Sequence, residues 1–253
     1  MNRFFVDPRH IRNDRVSIND SAAYQIHTVL RLKTGDNITL LDNTGLEYLV
    51  TIEQASPTNV EARILKTTKC LADPNIFIRL YQGIMKGSKF DMTLQKGTES
   101  GISSFVPTVC QRSEVKLTDG WFDRKIKRWS AIVKEASEQT GRSYIPDIKH
   151  PATLYEAFLS EKSFKIIAWE KESDLNLREV IRNNEDDILN RGISIFIGPE
   201  GGFEDEEIRA AQNANISTVS LGKRILRSET AGIIVSSLVL YQMGDLECHQ
   251  DSS

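Results

Sequence analysis

Residues 197–202 read Ile-Gly-Pro-Glu-Gly-Gly, and 221–231 read Leu-Gly-Lys-Arg-Ile-Leu-Arg-Ser-Glu-Thr-Ala. Each segment follows an apolar run and leads into a helix-like stretch. That order of parts places a ligand at the carboxyl ends of strands in an open α/β sheet. Gly198, Gly201 and Gly202 have no Cβ where the chain must turn, so their backbone groups can touch a ligand. Pro199 stiffens the turn and denies it a helical start. The loop is neither Gly-x-x-x-x-Gly-Lys-Ser/Thr nor Gly-x-Gly-x-x-Gly. The acids Glu204, Asp205, Glu206 and Glu207 that follow it would repel a pyrophosphate. A neutral or cationic ligand held by N–H and C=O groups fits better. A structural tight turn is an open reading of the first segment alone; two glycine-bearing strand exits in tandem favour a cleft.

Arg224 and Arg227 stand just before a buried helix-like run, and Ser228 is its candidate N-cap. A forked donor at the rim of a cleft suits carbonyl or phosphate oxygens. The other reading of Arg227 is a surface ion pair with Glu229 or the 204–207 acids, worth about 0–1 kcal/mol. Glu229 is open between a helix-dipole partner and a general base. Lys86, Lys96, Arg112, Arg128 and Arg142 are scattered basic residues, and Arg128-Trp129 and Arg142-Ser143-Tyr144 interleave cation and aromatic as single-stranded RNA sites do. Trp129 also lies on the apolar stripe of a helix, where it would be core. The chain shows no convincing Ser/His/Asp or Cys/His triad.

Two kinds of element must position these residues. Before residue 70, short strands at Ile38–Leu41, Tyr48–Ile52 and Val60–Leu65 are separated by turn signals, which suggests a small barrel. A helix from Asp20 to Leu32 is expected among them. Asp73-Pro74-Asn75 reads as a linker. Strand-like runs at Ile76–Tyr81, Phe164–Trp169, Ile193–Ile197 and Thr218–Leu221 then alternate with helix-like stretches. A capping box from Ser88 to Asp91 would open one helix and Gly101 close it. Trp121–Thr140, Phe203–Asn213 and Ser228–Met243 supply three more. Such alternation implies a mainly parallel sheet covered on both faces. The domains expected are 1–72 and 75–246, followed by a polar, disordered tail at 247–253.

Composition removes several classes. Net charge is −3 over 253 residues, so the whole molecule does not steer toward nucleic acid, although signs are unevenly spread. Residues 1–33 hold six basic side chains against three acidic, and 112–142 hold eight against five. Residues 170–187 reverse the balance, with seven acidic against three basic. Cys70, Cys110 and Cys248 form no Cys-x-x-Cys, which argues against a disulfide framework or zinc site. The four histidines show no metal-ligand spacing. The first ten residues lack the apolar segment of a signal peptide, and Ile233–Tyr241 is too short to span a bilayer. A cytoplasmic protein without a metal or membrane partner is expected.

Ile-Gly-Pro-Glu-Gly-Gly-Phe (197–203) together with Leu-Gly-x-Arg-Ile-Leu-Arg-x-Glu-Thr-Ala (221–231) resembles the RsmE family of 16S ribosomal RNA uridine-N3 methyltransferases, of the knotted SPOUT class. Further segments agree: Asn2–Val6, His27–Arg31, Gln95–Glu99 and Glu135-Ala136-x-Glu138-Gln139-x-x-Arg142. Gly97 and Ser100 depart from the family pattern, at a helix cost of about 1 kcal/mol at most for the glycine. The resemblance implies a PUA-like N-terminal barrel, a trefoil-knotted α/β domain, S-adenosylmethionine as methyl donor and a homodimer. The substrate would be 16S ribosomal RNA or the small ribosomal subunit. The cofactor residues carried over are Ile197, Gly198, Pro199, Gly201, Gly202, Leu221, Gly222, Ile225 and Leu226, with Trp169 as a third wall. Arg227 would stabilise charge on the uracil carbonyls, and Glu229 is a weaker candidate for proton acceptance. Arg3, Arg31, Lys86, Lys96, Arg112, Arg128 and Arg142 would contact RNA. Three alternatives stay open: a knotted methyltransferase acting on a ribose 2′-hydroxyl or a guanine, a non-catalytic RNA-binding or ribosome-assembly protein, and an enzyme acting on nucleotide phosphates.

Overall fold

The computed structural model describes residues 2–160 and 162–247, so the tail beyond Glu247, with Cys248 and His249, lies outside the described residues. Backbone contacts divide the chain into two units, Met1–Asp73 with Lys134–Ile145, and Pro74–Val133 with Pro146–Ser253.

The first unit is built on a curled six-stranded sheet. Its strands are β1 (Arg3–Phe5), β2 (Ile11–Arg12), β3 (Arg15–Asn19), β4 (Asn37–Leu41), β5 (Leu46–Ala55) and β6 (Asn59–Lys69), in the order β1-β4-β5-β6-β3-β2. Apolar residues alternate along β5 and β6, so Val50, Ile52, Val60 and Ala62 enter one core with Ile18, Ile26, Ile38 and Leu40. Register shifts at Leu49/Val50 and Ile52/Gln54 mark bulges, the device that bends a sheet. The single helix expected from Asp20 to Leu32 is shorter. The helix α1 (Asp20–Tyr24) passes into a π-helical turn at Gln25–Val29, and Arg31 then takes φ +54°. The β-branched residues Ile26, Thr28 and Val29 disfavour a longer regular helix, and Arg31 in the left-handed region stops it four residues before Gly35.

The segment Lys134–Ile145, which sequence reading places in the second domain, clusters with this first unit. Its anchors are specific. The Phe5 N–H donates to Glu138 at 3.0 Å, and Asp73 accepts from Ser143 N–H at 2.9 Å.

The second unit carries a wholly parallel sheet. Its strands are β7 (Ile78–Gly83), β8 (Ser104–Val109), β9 (Asp147–Ile148), β10 (Ala152–Thr153), β11 (Phe164–Ala168), β12 (Ile193–Ile197) and β13 (Ser217–Val219). The order is β10-β8-β7-β12-β11-β13, with β9 also beside β8. The helices are α2 (Lys89–Glu99), α3 (Trp121–Thr140, counted with the first unit from Lys134 on), α4 (Leu154–Leu159), α5 (Leu177–Asn183), α6 (Glu185–Arg191), α7 (Asp205–Asn213) and α8 (Ser228–Gln242). Faces alternate along β7. Leu80 and Gln82 meet Gly232 of α8, whereas Tyr81 joins Phe196, Phe158 and Ile208 in the core under α4 and α7. Tyr81 stacks on Phe196 with ring centroids 4.5 Å apart.

β8 has no strand signature because Pro107 sits inside it, and proline is normally confined to sheet edges. Here β9 pairs with Ser104 and Phe105 while β10 pairs with Thr108 and Val109. Pro107 falls in the gap between them, where no ladder needs its missing N–H. The capping box expected at Ser88 is absent. Ser88 makes no side-chain cap bond, and Asp91 instead accepts from Trp129 Nε1 at 2.9 Å and pairs with Arg128. After the edge strand β13 the chain returns to the middle of the sheet, where α8 packs on β7 and β12 beside α2.

Candidate active site

The glycine-bearing exits of β12 and β13 open on one cleft of about 820 Å³ in the second unit, a size suited to a cofactor. Ile197, Gly198, Pro199, Gly201, Gly202, Leu221, Gly222, Ile225, Leu226 and Trp169 all line it, together with Arg227 and Glu229. Glycine is required at particular points. Gly202 has φ +71°, and a Cβ there would lie 3.1 Å from Glu170 Oε1. A Cβ on Gly83, at the end of β7, would stand 2.3 Å from the backbone nitrogen of Pro199, so β7 and the loop can approach only through glycine.

Three anchors hold the loop after β12. The Ser228 hydroxyl donates to the Gly198 carbonyl. Arg112 Nη1 donates to the Gly201 carbonyl at 2.9 Å while Nε and Nη2 clasp Glu204 at 2.8 and 2.9 Å. Glu200 accepts from Lys89 Nζ at 2.9 Å and from the Lys86 N–H at 3.3 Å. Partial burial pulls the Glu200 carboxyl up, but the Lys89 and backbone hydrogen bonds outweigh it and hold the group below the ordinary value. The Arg112 clasp likewise lowers Glu204. α7 opens with a capping box in which Glu204 and Glu207 exchange backbone bonds, while Glu204 also holds Arg112, Asp205 pairs with Lys171 and Glu207 accepts from the Gln111 N–H.

Arg227, not Ser228, is the N-cap residue of α8, with extended backbone at φ −66° and ψ 149°. Ser228 is the first helical residue, and its hydroxyl is committed to Gly198. Arg227 is exposed at the cleft rim and forms no ion pair among the described residues. Glu229 is 6 % exposed, and its Oε2 finds no hydrogen-bond partner. An exposed cation and, two residues on, a buried carboxylate with spare acceptor capacity thus line the same cleft.

The other basic residues separate. Arg142 is 3 % exposed and tied to Asp73, which removes it from any RNA surface. Arg112 is a clamp on the glycine loop. Lys86 pairs with Glu114, Lys96 with Glu99 at 2.8 Å and Arg128 with Asp91 at 2.7 Å. Arg3 is half-buried against Gly141, while Arg31 is exposed. Trp129 is core, packed against Phe90 and Trp121. Sequence reasoning missed Lys89 and Gln82, and gave no separate role to Glu200 inside the glycine motif or to Glu170 beside Trp169 in the third wall; Lys89 carries no local signal.

Residues 72–240 match the RNA methyltransferase domain, and 26–65 match the RNA methyltransferase PUA domain. A ribosomal RNA small subunit methyltransferase E of Mesomycoplasma hyopneumoniae is 32% identical, over 93% of this chain and 97% of its own length. That of Bacillus subtilis is 29% identical over 96% and 97%. A ribosomal RNA small subunit methyltransferase E from Neisseria gonorrhoeae, solved bound to S-adenosyl methionine, superposes with a TM-score of 0.84 at 28% identity, covering 95% of this chain and 97% of that one. The chain belongs to the ribosomal RNA small subunit methyltransferase E family of RNA methyltransferases.

Proposed function

We propose that the chain methylates N3 of a uridine in 16S ribosomal RNA with S-adenosylmethionine as donor. One observation carries this reading: a single cleft unites both glycine-bearing strand exits with a free guanidinium, Arg227, and a buried, under-satisfied carboxylate, Glu229. The residues present fit the donor, because no atom lies within 4 Å of where a Cβ on Gly222 would stand, and Gly198, Gly201 and Gly202 put no side chain of their own into the cleft. When bound, S-adenosylmethionine supplies a methyl group on a sulfonium. The backbone of Gly198–Gly202 and Leu221–Leu226 holds it, and Trp169 closes a third side.

Uridine N3 carries a proton at neutral pH, so the ring nitrogen must lose it to become nucleophilic. Glu229 Oε2 accepts that proton. Arg227 sets its guanidinium against the charge that gathers on the uracil carbonyl oxygens, which is where an electrostatic stabiliser acts. Orientation of the ring in the cleft supplies much of the remaining acceleration.

In this reading residues 1–72 form the RNA-binding domain and 75–246 the methyltransferase domain. Arg31 and Arg3 contact RNA phosphates, and the ion-paired Lys86, Lys96 and Arg128 contribute only by exchanging partners. The enzyme works in the cytoplasm as a homodimer. Ile234, Leu238 and Tyr241 form an exposed apolar stripe at helical spacing on α8, suited to burial against a second copy. No helix among the described residues is long and apolar enough to cross a membrane. The deciding experiment maps modified nucleosides in 16S ribosomal RNA from cells lacking the protein. Loss of 3-methyluridine, restored by the parent gene and not by Arg227→Ala, is the expected result; unchanged 3-methyluridine refutes it.

A further inference from the structure

Gln82 occupies a central strand and is fully buried, at 0 % exposure, yet a methionine or leucine would fill the same volume. Its side chain joins three separate pieces of chain. Nε2 donates to Ser228 Oγ at 2.8 Å, and Ser228 Oγ in turn donates to the Gly198 carbonyl. Because the hydroxyl proton is committed to Gly198, the Ser228 oxygen must accept, and this fixes which end of the amide faces it. The same amide reaches the Gly83 carbonyl at 3.5 Å. Gln82 Oε1 has no partner, and the α8 backbone passes so close that a Cβ on Gly232 would stand 2.8 Å from it. An unpaired acceptor in a core is a standing cost of this arrangement.

Ser228 lies between Arg227 and Glu229, and Gly198 opens the donor loop. We infer that Gln82 is a positioning residue: its amide, acting through Ser228, sets the start of α8 against the glycine loop. Arg227 and Glu229 are thereby held in register with the transferable methyl group. This rests on the roles given to Arg227 and Glu229 above. The loop has independent anchors in Arg112 and Lys89, so donor binding survives loss of the relay while the geometry of transfer does not.

The test uses the full-length protein with Gln82→Met, Ser228→Ala, their double variant and Ser228→Thr, which keeps a hydroxyl. Donor affinity is measured by calorimetry, folding by thermal melting, and kcat on 16S ribosomal RNA or small subunits. Gln82→Met and Ser228→Ala should each lower kcat by about tenfold or more and change the donor Kd by less than about threefold. The double variant should be no worse than either single one, because both cut the same relay. Ser228→Thr should recover most of kcat. A lowered melting temperature with kcat within about twofold of the parent would assign Gln82 to packing alone, and multiplicative losses in the double variant would deny the relay. Should Gln82→Met fail to fold, Ser228→Ala against Ser228→Thr decides by the same kcat and Kd criteria. An inactive parent protein would instead overturn the proposed reaction, which separates the two failures.

Discussion

Arg112 holds the carbonyl of Gly201 at 2.9 Å with one nitrogen and the carboxylate of Glu204 with two others, so a residue expected on RNA is a clasp on the glycine loop after β12. A guanidinium bridges a turn and the following helix start because its fork matches a carboxylate while a remaining N–H is free for the carbonyl. Arg112→Ala is therefore expected to weaken S-adenosylmethionine binding by roughly threefold or more and to leave the salt dependence of RNA binding unchanged. Calorimetry against the donor and a salt titration of RNA affinity check both halves. A flattened salt slope with normal donor affinity would return Arg112 to the RNA surface.

Arg227 and Glu229 should separate from the pocket residues in kinetics. In the proposed reaction Arg227 meets charge only as it develops on the uracil, so Arg227→Ala should lower kcat by about 10²–10³ with donor affinity kept. Glu229→Gln should lower kcat most at neutral pH and leave RNA affinity alone, since the amide keeps the shape and loses the basicity. Equal losses in donor binding and kcat for Arg227→Ala would place that side chain in the donor pocket instead.

Much of this site is legible before any fold is known, and the reasons are local. The apolar run Ile193–Ile197 ending at Gly198 announces a buried strand followed by a turn, and the tandem segment at 221–231 repeats the signal. Charge pairing is not local. Arg142 and Asp73 are far apart in sequence, and so are Arg112 and Glu204, so no spacing rule could distinguish a clamp or a buried pair from an RNA contact. β8 was hidden by Pro107, which is tolerated only because its two neighbours leave a gap there. Ser228 looked like an N-cap on residue preference, yet its hydroxyl has a stronger use at Gly198, and Arg227 takes the capping position. Gln82 gave no signal, because a glutamine in an apolar strand says nothing of what it meets across the sheet.

Gly222, which lines the cleft, and Gly83, which abuts Pro199, should respond to alanine in different degrees. At Gly222, φ is +95° and open space surrounds the new methyl group, so Gly222→Ala costs only backbone strain of about 1–2 kcal/mol. At Gly83, the added Cβ would stand 2.3 Å from the Pro199 nitrogen, and the backbone on both sides must move. Gly83→Ala should displace the donor loop, abolish donor binding and lower the melting temperature more than Gly222→Ala. Donor affinities and melting curves for the two variants, side by side, check the ranking; a Gly83→Ala protein that binds donor normally contradicts the close approach.

Glu138 gives the first unit a pH dependence with a definite sign. Burial pushes its carboxyl above the ordinary glutamate value of 4.5, and the hydrogen bond from Phe5 N–H with the nearby Lys134 only partly opposes the shift. The folded state therefore binds this proton more tightly than the unfolded chain. By linkage its contribution to stability is fully present below pH 4.5 and is lost as pH rises through the higher folded value. Glu138→Gln keeps an oxygen that can accept from Phe5 and removes the charge. The variant should match or exceed the parent in stability at pH 7, and this relative advantage should shrink as pH falls toward 4.5. Urea unfolding of both full-length proteins between pH 4 and 8 measures the difference directly. A variant that loses stability relative to the parent as pH rises would mean that Glu138 is held in its charged form, by Lys134 or another cation, more strongly than burial opposes it.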